Sequence, residues 1–462
     1  MKHPPKSLTC ALRIALLALA ASLSINAQTG ALSAARSTND EARTPQTRAA
    51  ALYLEASSYA ERRYAELEQA GRAYNTNLIP QLQQEQRALA ARFAALVAVA
   101  PALSASDELY LGQLYSLAAQ SDNAIKTMRH WLKSYGDSSP ADAQTARFVI
   151  ALETARQGAF PNAERMLNDY LAHEATPPDW ARHYQLEQMF AGGYRTRKRY
   201  DEAVLHAQAA VSAAEQWYLQ QHLDARDRDD LFYNAAAYLS DLHLEFKQTG
   251  AALGALQALR KTAIALPSAD LYRRATILLE RIVPPVNLMT APDDAIYRSP
   301  LATQTAPEIL VREWIDQKPT TLAALRGHVV LLDFWATWCT PCRVALPYMN
   351  DWQERYKGRG LAILALTQYH GSINGRTLSA SGELSLLRRF KHAEGMRYAV
   401  GVDGTGDTSI SYNITTIPTA VLIDRAGRIR FISVGATQTD MDEIGQMIER
   451  LLNEPAPMTS GR

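Results

Sequence analysis

Residues 332–347, Leu-Asp-Phe-Trp-Ala-Thr-Trp-Cys-Thr-Pro-Cys-Arg-Val-Ala-Leu-Pro, constrain this chain more than any other stretch. The apolar run Val329 to Leu332 predicts a buried strand, and after Cys339 and Cys342 the pattern turns helical. A strand that ends in Cys-x-x-Cys and enters a helix puts the first cysteine at the helix N-terminus. Free N–H groups and the helix dipole favour an anion there. The anion is the thiolate, which is the nucleophilic form of cysteine. Cys342 lies three residues on, on the same helical face, so the two sulfurs can meet. Pro341, beside Thr340 and between the cysteines, suits a first turn, where its missing N–H is not needed.

The pair has two plainer readings. Half of a zinc site would need two more thiol or imidazole ligands, and none of the ten histidines forms a closely spaced pair near this stretch. A permanent staple over so small a loop stabilises little. The third cysteine, Cys10, precedes the apolar run Ile14 to Ile25. That run is too short to span a bilayer, and with Lys2, Lys6 and Arg13 it reads as a signal peptide over residues 1–27. An uncleaved anchor is the rival reading. Cys10 would leave with the peptide, and it is misplaced for lipid attachment. The exported chain would then keep one cysteine pair and no structural disulfide framework, which favours a cycling pair. Losing Lys2, Lys6 and Arg13 would turn a net charge of +1 into −2. A near-neutral chain without a basic stripe argues against nucleic acid as a partner. No metal and no cofactor beyond the dithiol is required.

Taken in order, 462 residues suggest two or three domains. Residues 28–45 read as a flexible lead-in, and 46–282 as an all-α domain. Ala50, Leu52, Tyr53, Ala56, Tyr59, Ala60 and Tyr64 form one apolar face, and Pro80 is expected to separate a second helix, about 81–99. Helical hairpins then recur around Ala124, Ala163 and Ala203, spaced 39 and 40 apart, with a fourth unit around Leu242, Phe246, Gly250 and Ala255. Small residues where paired helices cross resemble tetratricopeptide repeats (TPR), with longer turns than usual. The plainer alternative is an irregular all-α domain. Either way, stacked helices give a surface for a protein or peptide partner. Residues 283–305 read as a proline-rich linker, 306–454 as an α/β domain and 455–462 as a tail. Within 306–454 strands alternate with helices and end in a hairpin, the pattern of a layered sandwich. Residues 368–380 read as a polar loop.

Trp338-Cys339-Thr340-Pro341-Cys342, its lead-in strand and the later Thr416-Ile417-Pro418-Thr419 resemble the thioredoxin superfamily, specifically its TlpA/ResA-like thiol–disulfide oxidoreductases. The resemblance covers about a third of the chain. It implies a thioredoxin fold for that third, and with the helical hairpins before it the chain reads as multidomain, an all-α TPR-like helical region followed by an α/β thioredoxin-fold domain. It also implies that Ile417–Pro418 is the family's cis-proline loop, and that the 79 positions from Cys339 to Pro418 hold the group's central insertion.

Cys339 is then the nucleophile, forming a mixed disulfide that Cys342 resolves. Asp333, placed amid Leu331, Leu332, Phe334 and Trp335, is expected to be buried with a raised pKa, matching the thioredoxin acid that relays a proton to or from the second cysteine. Trp338, Thr340 and Pro341 form a rim for the substrate, and the backbone of Ile417 at Pro418 pairs with an extended strand. One departure matters: where ResA-like proteins carry a glutamate three residues after the second cysteine, this chain has Ala345. That puts a role in cytochrome c maturation in doubt.

The expected function is an envelope, periplasmic disulfide reductase acting on a disulfide-bearing protein client. As the resemblance implies, a membrane thiol donor supplies its electrons. The alternatives are a helical binding scaffold with a regulatory redox domain, and a disulfide oxidase or isomerase.

Overall fold

A computed structural model describes residues 48–70, 78–174, 176–221, 223–283, 305–373 and 376–455. The expected signal peptide, lead-in, most of the linker and nearly all of the tail lie outside the described residues. The chain divides into two compact units, residues 1–246 and 247–462.

Among its described residues the first unit is all helix: α1 (Arg48–Ser57), α2 (Tyr59–Gln69), α3 (Leu78–Ala98), α4 (Ala105–Leu117), α5 (Ser121–Tyr135), α6 (Pro140–Arg156), α7 (Phe160–Ala172), α8 (Trp180–Thr196), α9 (Tyr200–Gln221) and α10 (Ala225–Glu245). Pro80 does not precede the third helix but sits in its first turn, where a proline displaces no helical hydrogen bond. Most of the apolar face read at 50–64 is buried: Ala50, Tyr53, Ala56, Ala60 and Tyr64.

From α4 onward the helices start in two alternating ways. α4, α6, α8 and α10 start at capping residues Ser104, Ser139, Asp179 and Asp224, whose side chains accept the free N–H of the residue three positions on. α5, α7 and α9 follow tight turns with a positive-φ residue, Ala119, Gly158 or Lys198, at 57°, 78° and 57°. Five residues after each comes a fully buried alanine: Ala124, Ala163 and Ala203. The same pairing recurs at Lys247 (φ 61°) and Ala252. The fourth register is therefore set by Ala252, 49 residues after Ala203, and not by Ala255, which is only half-buried. The small side chains allow close helix approach. A Cβ on Gly193 of α8 would fall 1.9 Å from Cζ of Phe160 in α7.

The first unit also buries charge. His206 (6% exposed) lies between Glu187 Oε2 at 2.6 Å and Glu164 Oε1 at 3.0 Å. Burial alone would lower its pKa, but the two carboxylates outweigh burial and hold it above the usual histidine value. Its contribution to stability is thus complete below the unfolded histidine pKa and is lost as pH rises through the higher folded value. Urea titrations between pH 5.5 and 8.5 should show the first unit weakening with pH. In His206→Gln that slope should shrink, and an unchanged slope would remove His206 as its source.

The second unit begins with the hairpin α11 (Thr249–Ala265) and α12 (Ala269–Glu280). The division after Phe246 therefore does not coincide with the boundary expected at 282–283. The reason lies in α12, whose Tyr272 packs edge-on against Phe431 at 6.1 Å and whose Ala269 N–H donates to the Tyr412 carbonyl at 3.2 Å.

The α/β part holds β1 (Glu313–Ile315), β2 (Val329–Phe334), α13 (Thr340–Tyr356), β3 (Leu361–Gln368), β4 (Ser372–Ile373), β5 (Arg376–Thr377), α14 (Ala380–Ala393), β6 (Ala399–Asp403), α15 (Asp407–Ser411), β7 (Thr419–Ile423), β8 (Ile429–Val434) and α16 (Gln438–Asn453). Six strands form one sheet in the order β1-β6-β3-β2-β7-β8. β2, β3 and β6 run parallel, while β7, β8 and β1 pair antiparallel. This is the layered sandwich expected for the domain. The stretch 368–380 is more than a loop, because Ser372–Ile373 and Arg376–Thr377 pair as a small hairpin. β2 is buried along its whole length between β3 and β7, and the Cys-x-x-Cys follows its C-terminal end.

Candidate active site

α13 begins immediately after Cys339, which is its N-cap residue, with Pro341 in the first turn. Cys342 N–H donates to Cys339 Sγ at 3.2 Å, so the free N–H of a helix start points at the first sulfur. Cys339 and Cys342 are joined by a disulfide and are 4% and 3% exposed. Around the buried pair the surface is partly apolar and open. Trp338 is 51% exposed, Val344 is equally open, and Thr340 and Pro341 are exposed. The Ile417–Pro418 peptide is cis, as the resemblance implied, with Ile417 half-buried and Pro418 buried. Pro418 is anchored by its carbonyl, which accepts Gly435 N–H at 3.0 Å.

Asp333 lies on the central strand β2 opposite two small residues, Ala365 on β3 and Ala420 on β7. Asp333 therefore does not sit on an edge strand. Asp333 is 3% exposed, and its Oδ1 has no hydrogen-bond partner among the described residues. Burial pushes its pKa up to about 7. A carboxyl poised near neutrality can give or take a proton at working pH. Ala345, at the position of the missing glutamate, is itself buried on α13.

Several neighbours escaped the sequence reading. Tyr398 is buried with its hydroxyl unpartnered among the described residues; burial, and then the Asp333 charge, raise its pKa. Nothing in Arg-Tyr-Ala-Val distinguishes it from an ordinary strand start. Glu383 of α14 is 2% exposed and accepts the N–H groups of His370 at 2.9 and 3.1 Å and of Gly371 at 3.1 Å. It thereby fixes the loop after β3, and His370 packs edge-on to Trp338 at 5.4 Å. Phe390 of the same helix packs on Trp335 at 5.3 Å, and Arg343 covers the Phe390 ring. His370 and Phe390 thus contact the two tryptophans of the motif. The only sequence signal for this was the Ser379 cap with an acid in the first turn. Among the described residues no group of three or more His, Cys, Asp or Glu could hold a metal.

The geometry has counterparts. The family model described as Redoxin matches residues 301–448. A protein named thiol-disulfide oxidoreductase ResA from Oceanobacillus iheyensis is 32% identical over 168 residues, which are 36% of this chain and 77% of that protein. A protein of the same name from Bacillus thuringiensis is 31% identical over 124 residues, and there the chain spans 64% of the relative. The solved thioredoxin-family thiol:disulfide interchange protein from Chlorobium tepidum is 25% identical, with a TM-score of 0.27, over 32% of this chain and 96% of that one. With a redox cysteine pair at a helix start, and a sequence match across most of one relative's length, the chain belongs to the ResA-like thiol–disulfide oxidoreductases.

Proposed function

We propose that this chain is an exported disulfide reductase that works on an extended, disulfide-bearing protein client. The observation that carries the reading is Cys339 at the start of α13, its sulfur accepting the Cys342 N–H, on a face rimmed by exposed Trp338, Thr340 and Pro341.

In the reduced protein the Cys339 thiolate attacks one client sulfur. The client S–S bond breaks, a new S–S bond joins Cys339 to the client, and the other client sulfur leaves as a thiolate and takes up a proton. Cys342 then attacks Cys339 Sγ. The client's second sulfur leaves, and the Cys339–Cys342 disulfide closes. Two electrons and two protons have passed to the client. Asp333 relays the Cys342 proton, because its carboxyl is half-ionised near pH 7. The Ile417 backbone pairs with the client strand, and Trp338, Thr340 and Pro341 cover it. A membrane thiol donor re-reduces the pair.

The direction of electron flow rests on the dipeptide Thr340-Pro341, which puts no charge between the cysteines. A strong oxidant stabilises its reduced form, and an uncharged dipeptide adds nothing to that. Arg343, the residue after Cys342, donates to the Thr337 carbonyl at 3.3 Å and covers Phe390. The Ala345 position argues against specialisation for cytochrome c maturation.

The four recurring turn-and-alanine pairs support TPR-like repeats, and with them a protein or peptide partner on the helices. Export to the periplasm rests on the character of residues 1–27. The test is catalysed reduction of a peptide disulfide by dithiothreitol. Turnover that depends on Cys339 is expected, and turnover no faster than dithiothreitol alone would sink the reading.

A further inference from the structure

Three consecutive residues at the start of α12 grip the segment that leads into Ile417–Pro418. Ala269 N–H donates to the Tyr412 carbonyl at 3.2 Å. Ser268, the α12 cap and fully buried, accepts Asn413 Nδ2 at 3.3 Å. Asp270 Oδ1 accepts the Thr415 hydroxyl at 3.0 Å. The carboxylate is itself held from the next turn by Arg273 at 3.0 Å and Arg274 at 3.6 Å.

The gripped segment is tied at its two ends by its own chain. Asn413 N–H donates to the Ile410 carbonyl at 2.9 Å, Ile414 N–H to the Ser409 carbonyl at 2.8 Å and the Thr419 hydroxyl to the Thr416 carbonyl at 2.7 Å. The Thr415 side chain between them is held by Asp270. Thr415 and Thr416 are exposed, and Asn413 takes a positive φ of 44°, a conformation that asparagine adopts only at some cost. On its other side Tyr412 is locked, with its hydroxyl donating to the Pro307 carbonyl at 2.6 Å and its ring 5.6 Å from Phe334 at the end of β2. Tyr412 and the α12 contacts thus hold residues 412–415 from both sides on their way to the loop.

We propose that the first turn of α12 is a positioning element for the client-binding loop, with Asp270 and Ser268 its positioning residues. The α11–α12 hairpin then tunes how well an extended client strand binds, while the sulfur chemistry proceeds without it. This rests on the reading of Ile417–Pro418 as the edge that pairs with the client.

The test compares two substrates in the full-length chain: an extended peptide disulfide, and the small aromatic disulfide dithiobis(nitrobenzoate), which needs no strand pairing. Thr415→Val and Asp270→Ala should each raise KM for the peptide about threefold to tenfold, the range for one ordinary hydrogen bond lost at an exposed site. The kcat, the reduction potential and the rate on the aromatic disulfide should not move. The double variant should be no worse than either single one, because both remove the same contact. Thr415→Ser and Asp270→Asn keep a donor and an acceptor and should restore KM.

Equal effects on both substrates, additive single effects, or an unchanged peptide KM would each overturn the proposal. Thr415 is exposed, so its Val and Ser variants decide the matter even where Asp270→Ala fails to fold. If the wild type itself does not reduce the peptide, the functional reading falls and this proposal with it. A normal wild type with indifferent variants removes the α12 element alone.

Discussion

Cys339→Ser should abolish disulfide exchange, with turnover down by about a thousandfold or more, as for loss of a catalytic nucleophile. A serine hydroxyl at the same N-cap site would still be offered the Cys342 N–H, so the helix start and the fold should survive. The loss is therefore chemical: the hydroxyl does not ionise at neutral pH and forms no S–S bond. The companion variant Cys342→Ser has the opposite signature. Cys339 can still attack, but nothing resolves the mixed disulfide, so a covalent one-to-one adduct with a peptide disulfide should accumulate. Intact mass under non-reducing conditions reads both outcomes. Turnover by Cys339→Ser, or an adduct on Cys342 in the wild type, would reverse the assigned roles.

Asp333→Asn should make the protein more stable and slower. Holding a carboxyl at about 7 instead of its ordinary 3.8 means the folded state binds a proton that the unfolded state has already released between those values. Stability from this group is whole below pH 4, falls as pH rises and is fully lost above pH 7. The cost there is about 4 kcal/mol as an upper figure. The asparagine side chain carries no charge to desolvate, so the variant should gain on the order of 2–4 kcal/mol at pH 8 and little at pH 4. Guanidinium titrations of the second unit at both pH values measure the difference. The client-release step should meanwhile slow about a hundredfold, the low end for loss of general acid–base catalysis, and its rate should lose its inflection near pH 7. A variant as fast as wild type with an intact inflection would remove Asp333 from the proton path. A uniform gain at both pH values would mean that the effect is packing, not charge.

The two halves of the chain differed in how openly they declared themselves. The α/β domain was legible because each of its decisive features is local. An apolar run before Cys-x-x-Cys makes the strand, and Pro341 suits the helix start. Alternation around Asp333 put the acid inside before any partner strand was known. The insertion was less legible. The pairing of Ser372–Ile373 with Arg376–Thr377 is too short to leave a period-two pattern, and Glu383 looks like any acid in a first turn. Its burial depends on which loop N–H groups reach it, which is a tertiary fact. The same holds for Tyr398.

In the helical region the alanine anchors at 124, 163 and 203 were readable by spacing, because a crossing of two helices selects for small residues. The fourth position is ambiguous in the sequence because alanine and glycine abound between 249 and 265. The turn at Lys247, which fixes Ala252, shows itself only as a φ of 61°. The capping residues Ser104, Ser139, Asp179 and Asp224 recur at every other helix from α4 to α10, a period that the sequence carries in its Ser and Asp positions. The role of the hairpin 249–280 was hidden for a different reason. Its helices read as a continuation of the array, and the ties to the redox domain are tertiary: Ser268, Ala269 and Asp270 meet residues 412–415, and Tyr272 packs on Phe431.

The measurement that bears most directly on the central claim is the reduction potential of the Cys339–Cys342 pair in the purified protein. The fraction of disulfide is read by thiol-trapping mass shift after equilibration in graded dithiothreitol buffers. A reductase requires a midpoint in the neighbourhood of thioredoxin, about −270 mV. A midpoint near −120 mV, the range of strong oxidants, would contradict the account and make the protein a donor of disulfides.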